Sequence, residues 1–331
     1  MKNSTAWFLG KNFIRMAVLL FGVSAAAFFL VSMSPVDPLQ TNVGQAALGS
    51  MSQEQIARLE EYWGVNIPPL ERFATWFTGI LHGDMGTSLL YRQPVLRVVG
   101  EKLRNSLWLM AAAWVISGAL GFLMGILAGV KRGGIADRVI SAISLVIAST
   151  PAFWMALVLL MVFAVWLKVL PVGLSVPIGM EASQVGVGDR IVHAILPAAA
   201  LSITGISNIA LHTREKMAEV MESDYVLFAR ARGETTGQII RRHGIRNIIL
   251  PALTLQLASV SEIFGGSVLV EQVFSYPGLG QAAVTAGLGG DVPLLLGITI
   301  ISAAIVFMGN FLANVLYGVV DPRIRKGRAA S

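Results

Sequence analysis

Six stretches of the chain run with no charge, or with a single one, and each is bounded on both sides by Lys, Arg, Asp or Glu. They are Met16–Val36, Asn105–Val130, Val139–Leu167, Ile191–Thr213, Asn247–Val270 and Val292–Val320. A helix rises about 1.5 Å per residue, so about 20 apolar residues cross the hydrocarbon core of a bilayer. Every stretch reaches that length. The pattern predicts an all-α membrane protein of about six transmembrane helices. Between the first two spans, Ser52 and Gln55 have the spacing of a capping box and open a short predicted helix ending near Gly64. An amphipathic stretch over Arg97–Arg104 leads into the second span, and Lys168–Arg190, rich in Gly, Pro and Val, reads as a loop. Pro151, after Ser149 and Thr150, predicts a kink in the third span. Gly118, Gly121 and Gly125 suit close helix approach.

Composition supports the reading. The chain is 55% hydrophobic and 13% charged, with a mean hydropathy of +0.69, where a soluble domain carries about 25% charged residues. Apolar surface of this extent is solvated by lipid. The N-terminal run could be taken for a signal peptide, but those have apolar regions of only about 7–15 residues, so a retained helix is expected. With no cysteine, disulfides, thiolate metal sites and cysteine nucleophiles are excluded. The net charge of +6 sits in short loops and does not suggest nucleic acid. If the N-terminus is inside, 17 of the 25 Lys and Arg fall in inner segments, which predicts both termini in the cytoplasm. The expected divisions are 1–36 (N-terminal segment and first helix), 37–104 (extracytoplasmic), 105–320 (a five-helix core containing an inner loop at 214–250) and 321–331 (tail).

The inner segment 214–246 is too long for a tight turn and too rich in helix formers for a linker. It predicts two short amphipathic helices joined at Gly233, with Arg230 and Arg232 in the last turn of the first, where they complement the helix dipole. The second starts near Glu234–Thr235, and Pro251 would open a new helix. Val226, Leu227, Ile239 and Ile240 beside Ala229 and Ala231 suit a docking surface for a cytoplasmic partner. A solvated loop against lipid headgroups explains the same pattern. In the fifth span, Gln256 and Ser259 precede Glu262 at helical spacing. A charge inside a span is expensive, so Glu262 either lines a translocation path or holds another helix by a hydrogen bond.

Ala229-Arg230-Ala231-Arg232-Gly233, with Ile248-Ile249-Leu250-Pro251 after it, resembles the loop signature of binding-protein-dependent ABC importer permeases: E-A-A, three residues, G, and a later I-x-L-P. Leu227 and Phe228 stand where that pattern has Glu and Ala, and the Gly233–Pro251 interval is longer. Both departures are typical of the dipeptide/oligopeptide/nickel branch, whose loop resembles D-Y-V-x-x-A-R-A-x-G followed by R-H-x-x-R-N-x-x-x-P. Asp224-Tyr225-Val226 and Arg242-His243-Gly244-Ile245-Arg246-Asn247 fit it closely. Glu271, Phe274, Pro277, Gly278 and Gly280 are similar to the branch's E-x-x-F-x-x-P-G-x-G, and Gly83-Asp84-Met85-Gly86-Thr87-Ser88 to its G-D-x-G-x-S. The long outer segment resembles the first of the two permeases that such systems contain.

The resemblance implies a type I ABC importer-like permease fold in a bacterial inner membrane. It implies a second permease subunit (hetero- or homodimer), two ATP-binding subunits and an extracytoplasmic solute-binding protein. The cargo would be peptides, with nickel or metal chelates next. Asp224, Tyr225, Ala229, Arg230, Ala231, Arg232, Gly233, Arg242, His243, Arg246, Asn247 and Pro251 would form the ATPase-coupling loop, and small residues at Ala229, Ala231 and Gly233 would let the partner approach. Gln256, Ser259 and Glu262 would line the path, and Phe274, Pro277, Gly278 and Gly280 would form an extracytoplasmic motif. The chain has no phosphate-binding G-x-x-x-x-G-K-[ST] loop, so it is expected to bind no cofactor, with ATP used by the partners. The four histidines, His82, His193, His212 and His243, are scattered, so no metal site is expected, and the glycines at 278–280 and 287–290 read as turn formers. The competing classes are a secondary transporter or channel acting alone, which predicts inverted repeats or several intramembrane charges, and an intramembrane enzyme, which needs a nucleophile or metal ligands in the spans. Neither signal is present.

Overall fold

The computed structural model describes residues 2–33, 45–63, 67–174 and 186–320. Among the described residues every regular element is a helix, and the chain divides into two compact units. The first comprises Met1–Asn105 with Gly278–Phe307, the second Ser106–Pro277 with Met308–Ser331.

In the first unit lie α1 (Lys2–Ser32), α2 (Gln45–Ser50), α3 (Gln53–Trp63) and α4 (Pro69–Leu81), the first turns of α5 (Val95–Val130), and α13 (Leu279–Leu288). The capping box is present: the Ser52 N–H donates to Gln55 Oε1 at 2.9 Å and the Gln55 N–H to Ser52 Oγ at 3.3 Å. Gly64 and Val36 lie outside the described residues. α4 packs its aromatic face on α1 through Phe21, Phe28 and Phe29 against Phe73, Trp76 and Phe77, with centroids 5.2–6.0 Å apart for most pairs. Arg72 closes this seam, its guanidinium 5.3 Å over Phe28 and its Nη2 donating to Ser32 Oγ at 2.9 Å.

The G-D-x-G-x-S element has a clear physical role here. Gly83 and Gly86 take φ +83° and +81°, values a side chain resists. The turn they make carries Ser88 to a fully buried carboxylate, Asp291. That carboxylate accepts from Ser88 Oγ at 2.5 Å, from the Leu90 N–H at 3.0 Å and from the Leu294 N–H at 3.1 Å. Asp291 thereby caps α14 (Val292–Val320) and anchors the loop. Gly280 and Gly287, expected in turns, instead lie within α13, whereas Gly278 forms the bend before it and Gly289 and Gly290 (φ +67°) the turn after it, as expected.

In the second unit α5 runs on beside α6 (Ile135–Ala148), α7 (Ala152–Leu159, continued to Trp166 by a wider π turn), α8 (Val187–Met221), α9 (Asp224–Ala231), α10 (Thr236–Ile239, continued to Gly244 by a second π turn), α11 (Ile245–Ala258) and α12 (Val260–Val273). α8 is central: α6, α7, α11 and α12 all pack on it. One core joins Leu109, Met110 and Ala113 of α5 to Leu196 and Leu201 of α8 and Ile263 and Val270 of α12.

Four of the six spans are single helices long and apolar enough to cross a membrane, and the other two are bent pairs. The third turns by 109° at Ser149–Pro151, far more than a kink. Proline disfavours helical geometry in the preceding residue and offers no N–H. At the end of α6 the hydroxyls of Ser149 and Thr150 donate to the carbonyls of Leu145 and Val146. The fifth bends by 47° at Ser259. There the Gln256 carbonyl accepts from the Trp114 indole N–H and from Ser259 Oγ, both at 2.8 Å.

Of the glycines in the second span, Gly118 faces Gln256 of α11, with a Cβ there 3.0 Å from its side chain, while Gly121 and Gly125 face α8. A Cβ on Gly121 would come within 2.8 Å of the Ile206 carbonyl, and one on Gly125 within 2.5 Å of Thr213 Cβ. Gly129 makes the same approach one turn later, at 2.6 Å from the Arg214 carbonyl. Gly125→Ala is therefore expected to force the helices apart, with a loss of about 1–3 kcal/mol read as a lowered melting temperature of the purified protein.

Three expectations need correction. Residues 214–221 are not part of a separate short helix but the last turns of α8, because nothing between Thr213 and Met221 breaks the ladder. Of the loop expected over 168–190, residues 175–185 lie outside the described residues, and 187–190 are instead the first turn of α8, which Gly186 precedes. Pro251 does not open a helix. The start lies at Thr235, whose side chain and that of Gln238 form a capping box. The chain then stays helical through the π turn and past Pro251, as a proline within a span is tolerated where the carbonyl it frees can find another partner.

Candidate functional site

The segment from Asp224 to Pro251 folds as a short helix mounted on a core. Ser223, extended at φ −77° and ψ 151°, ends the run from α8 and starts α9. At the far end Gly233 takes φ +85°. Its N–H donates to the Arg230 carbonyl at 2.9 Å, and the Glu234 N–H donates to the Ala229 carbonyl at 3.1 Å. These two bonds form a Schellman closure, which a glycine in the left-handed region serves best.

α9 is amphipathic. Val226 and Ala229 are buried with Met217, Val220 and Met221 of α8, Ile126 of α5, Ile239 and Ile248. On the other side Leu227 and Phe228 are 67% and 66% exposed, Tyr225 is 45% exposed, and Arg230, Ala231, Arg232 and Gly233 are also exposed. Ala229 was expected on the partner-facing surface and instead faces the protein's own interior. Its small side chain lets α9 sit close to the core. The two positions that depart from the general signature, Leu227 and Phe228, supply the exposed apolar pair.

The motif after Gly233 braces the mount. Asn247 donates from Nδ2 to the His243 carbonyl at 2.7 Å and to the Tyr225 hydroxyl at 3.4 Å, tying α11 to α9. Glu234 lies 3.4 Å from His243 Nε2 and 3.8 Å from Arg242 Nη1. Gly244 lets the π turn pack on α8, since a Cβ there would lie 2.8 Å from Met217 Cε. Arg241, Arg242 and Arg246 point to solvent, and Pro251 is half-buried within α11.

The structure does not place Gln256, Ser259 and Glu262 on one face, because the helix breaks between them. Gln256 is turned inward, its Nε2 donating to the Trp114 carbonyl at 2.6 Å. Ser259 sits at the break, and Glu262 is exposed in the first turn of α12. Phe274, at 1% exposure, belongs to a buried knot: its carbonyl accepts from the Leu174 N–H at 2.9 Å, and Gly173 (φ +153°) leaves no room for a Cβ. Burial raises the Tyr276 phenol above its usual range, helped by the carboxylate of Glu271. Pro277 follows half-buried, while Gly278 and Gly280 are buried where α13 begins in the first unit.

Two buried acids were not anticipated as paired. Glu271, fully buried, accepts from Ser106 Oγ at 2.6 Å. Asp137 is gripped by Arg214 through Nε at 2.7 Å and Nη2 at 2.8 Å, with the Gly133 N–H at 2.7 Å and Ser141 Oγ at 3.2 Å. Asp137 lies among Arg132, Gly133 and Arg138, a context that reads as solvated loop, and no local spacing links it to a residue 77 positions away. Glu271 stood within a recognised motif but at the edge of a span, where a charge draws no notice.

The family described as "Binding-protein-dependent transport system inner membrane component" matches residues 121–326. The chain is 32% identical over 322 residues to the oligopeptide transport system permease protein AppB of Bacillus subtilis (strain 168), covering 96% of this chain and 99% of that one. It is 32% identical over 322 residues to the dipeptide transport system permease protein DppB of Escherichia coli (strain K12), covering 92% and 94%. To the di/tripeptide transport system permease protein DppB of Pseudomonas aeruginosa (strain UCBPP-PA14) it is 30% identical over 337 residues, covering 97% and 99%. A helix bundle with a braced, outward-facing short helix, matched to relatives from end to end, is thus a multi-pass bacterial inner-membrane protein: the chain belongs to the family of binding-protein-dependent transport system inner membrane components, the permease subunits of ABC importers.

Proposed function

We propose that this permease pairs with a second permease subunit to form the path by which peptides, delivered by a solute-binding protein outside, enter the cell. Two ATP-binding subunits drive the cycle by gripping α9 from the cytoplasm, with both termini on that side. The observation that carries the reading is the exposed Leu227–Phe228 pair on a helix whose other face is locked into the protein. An apolar pair held out from a rigid mount is a docking element. Because Val226 and Ala229 join α9 to α8 and α11, movement of α9 is passed to the spans themselves. Peptide is favoured as cargo because the relatives are oligopeptide, dipeptide and di/tripeptide transport permeases. The placement of Lys and Arg supports the orientation.

Proteoliposomes containing this chain, its partner permease, the ATPases and the binding protein are expected to accumulate a labelled dipeptide only when ATP is supplied on the α9 side. Uptake without ATPases would show a carrier acting alone. Because the chain has no cysteine, a single Arg232→Cys variant maps the same face. Labelling by an impermeant thiol reagent from outside intact cells would overturn the orientation and the docking together.

A further inference from the structure

α9 carries its charges in a set order. Asp224, Leu227, Phe228 and Ala231 fall at i, i+3, i+4 and i+7, one face of a helix, and all four are exposed. Arg230 in the last turn and Arg232 at the C-cap follow at the other end, both exposed. Neither guanidinium makes a hydrogen bond or ion pair with any described residue. Beyond them, the exposed charges as far as Asn247 are Arg241, Arg242 and Arg246. The one acid of that stretch, Glu234, keeps only 16% of its side chain exposed, with His243 Nε2 3.4 Å and Arg242 Nη1 3.8 Å from its carboxylate. Its N–H bonds to the Ala229 carbonyl at 3.1 Å, so this group lies at the arginine end of α9. From start to finish the helix therefore presents an acid, an apolar pair and a surplus of base.

Basic residues of an inner loop can also meet anionic headgroups. A headgroup layer is negative throughout and would repel Asp224, which shares its face with Leu227 and Phe228. A folded partner can carry both signs, each opposite its complement. The mount points the same way: Val226 and Ala229 are locked into a core, and a fluid surface makes no use of a fixed register.

We propose that α9 is met in one direction only, by a groove on the ATP-binding subunit that is apolar at its centre, with carboxylates facing Arg230 and Arg232 and a basic group facing Asp224. The proposal rests on α9 being the docking element and adds the charge order of the partner's rim. Guanidinium forks pair with carboxylates through two parallel bonds. That geometry fixes which end of the helix lies where, whereas an apolar pair alone would tolerate a reversed helix.

The chain has no cysteine, so a single Gly237→Cys, where a Cβ meets nothing within 4 Å, takes a fluorophore before assembly and reports on this subunit's docking site. The labelled permease pair in phosphatidylcholine nanodiscs is titrated with the ATP-binding subunits at rising salt. Arg230→Gln/Arg232→Gln is expected to weaken binding about tenfold at low salt and to flatten its salt dependence. Asp224→Arg/Arg232→Asp keeps the net charge but reverses its order, and is expected to weaken binding by about tenfold or more. Both variants should melt close to the parent, since every changed side chain is exposed. A swapped variant that binds as tightly as the parent overturns the proposal, as does a salt dependence that survives Arg230→Gln/Arg232→Gln. Binding that appears only when phosphatidylglycerol is added assigns the arginines to headgroups and overturns it too. Leu227→Ser/Phe228→Ser separates the two levels. Unchanged binding in that variant removes α9 as the docking element, whereas lost binding there beside an unaffected swap removes the charge order alone.

Discussion

Gly233→Glu is expected to leave the chain inserted in the membrane while abolishing ATP-driven uptake and co-purification of the ATPases. The structure separates two effects at this position. A Cβ on Gly233 meets nothing within 4 Å, so no clash unseats α9. The backbone cost is that of a left-handed residue at φ +85°, about 1–2 kcal/mol, which the Val226 and Ala229 contacts can absorb. What remains is a long charged side chain planted beside exposed Arg232, where a partner surface must close. Gly233→Asn, which tolerates the left-handed region, is expected to retain most uptake. Pull-down of the ATPases and uptake in proteoliposomes read both variants. Unchanged association in Gly233→Glu would remove α9 as the docking element.

The second large effect concerns stability. Arg214→Met leaves the Asp137 carboxylate, with 4% of its side chain exposed, facing only the Gly133 N–H and Ser141 Oγ. Stranding one member of a buried pair costs about 3–5 kcal/mol, and a large drop in melting temperature is expected. Asp137→Ala should cost less, because the Arg214 side chain is 27% exposed and can reach water. The double variant Asp137→Leu/Arg214→Met should recover much of the loss. A double variant that melts lower than Arg214→Met alone would show that the pair does more than neutralise itself.

Much of the fold is legible because its dominant signal is local. Charge-free runs and their flanking residues locate all six spans, and the Ser52–Gln55 and Gly233 signals are chemical facts of a few adjacent positions. What escaped depends on distance. Nothing near Asp137 foretells Arg214, and nothing near Gln256 foretells that Trp114 will bond to its carbonyl. Proline is ambiguous in sequence for the same reason. Pro151 turns the chain by 109°, whereas Pro251 sits quietly in a helix. In the candidate site the motif residues were readable, but their facing was not. Ala229 turned inward because the core needed it, and the break at Ser259 rotated Gln256 away from Glu262.

That break bears on how force would travel. From Thr236 to Ala258 the chain is one continuous rod of about 35 Å, attached at its foot to the Gly233 closure and at its head to a single residue. The carbonyl at that head is held by an indole from another helix. If α9 is the docking element proposed above, a push at the foot of this rod would have to work against the indole at its head and against α8 along its flank.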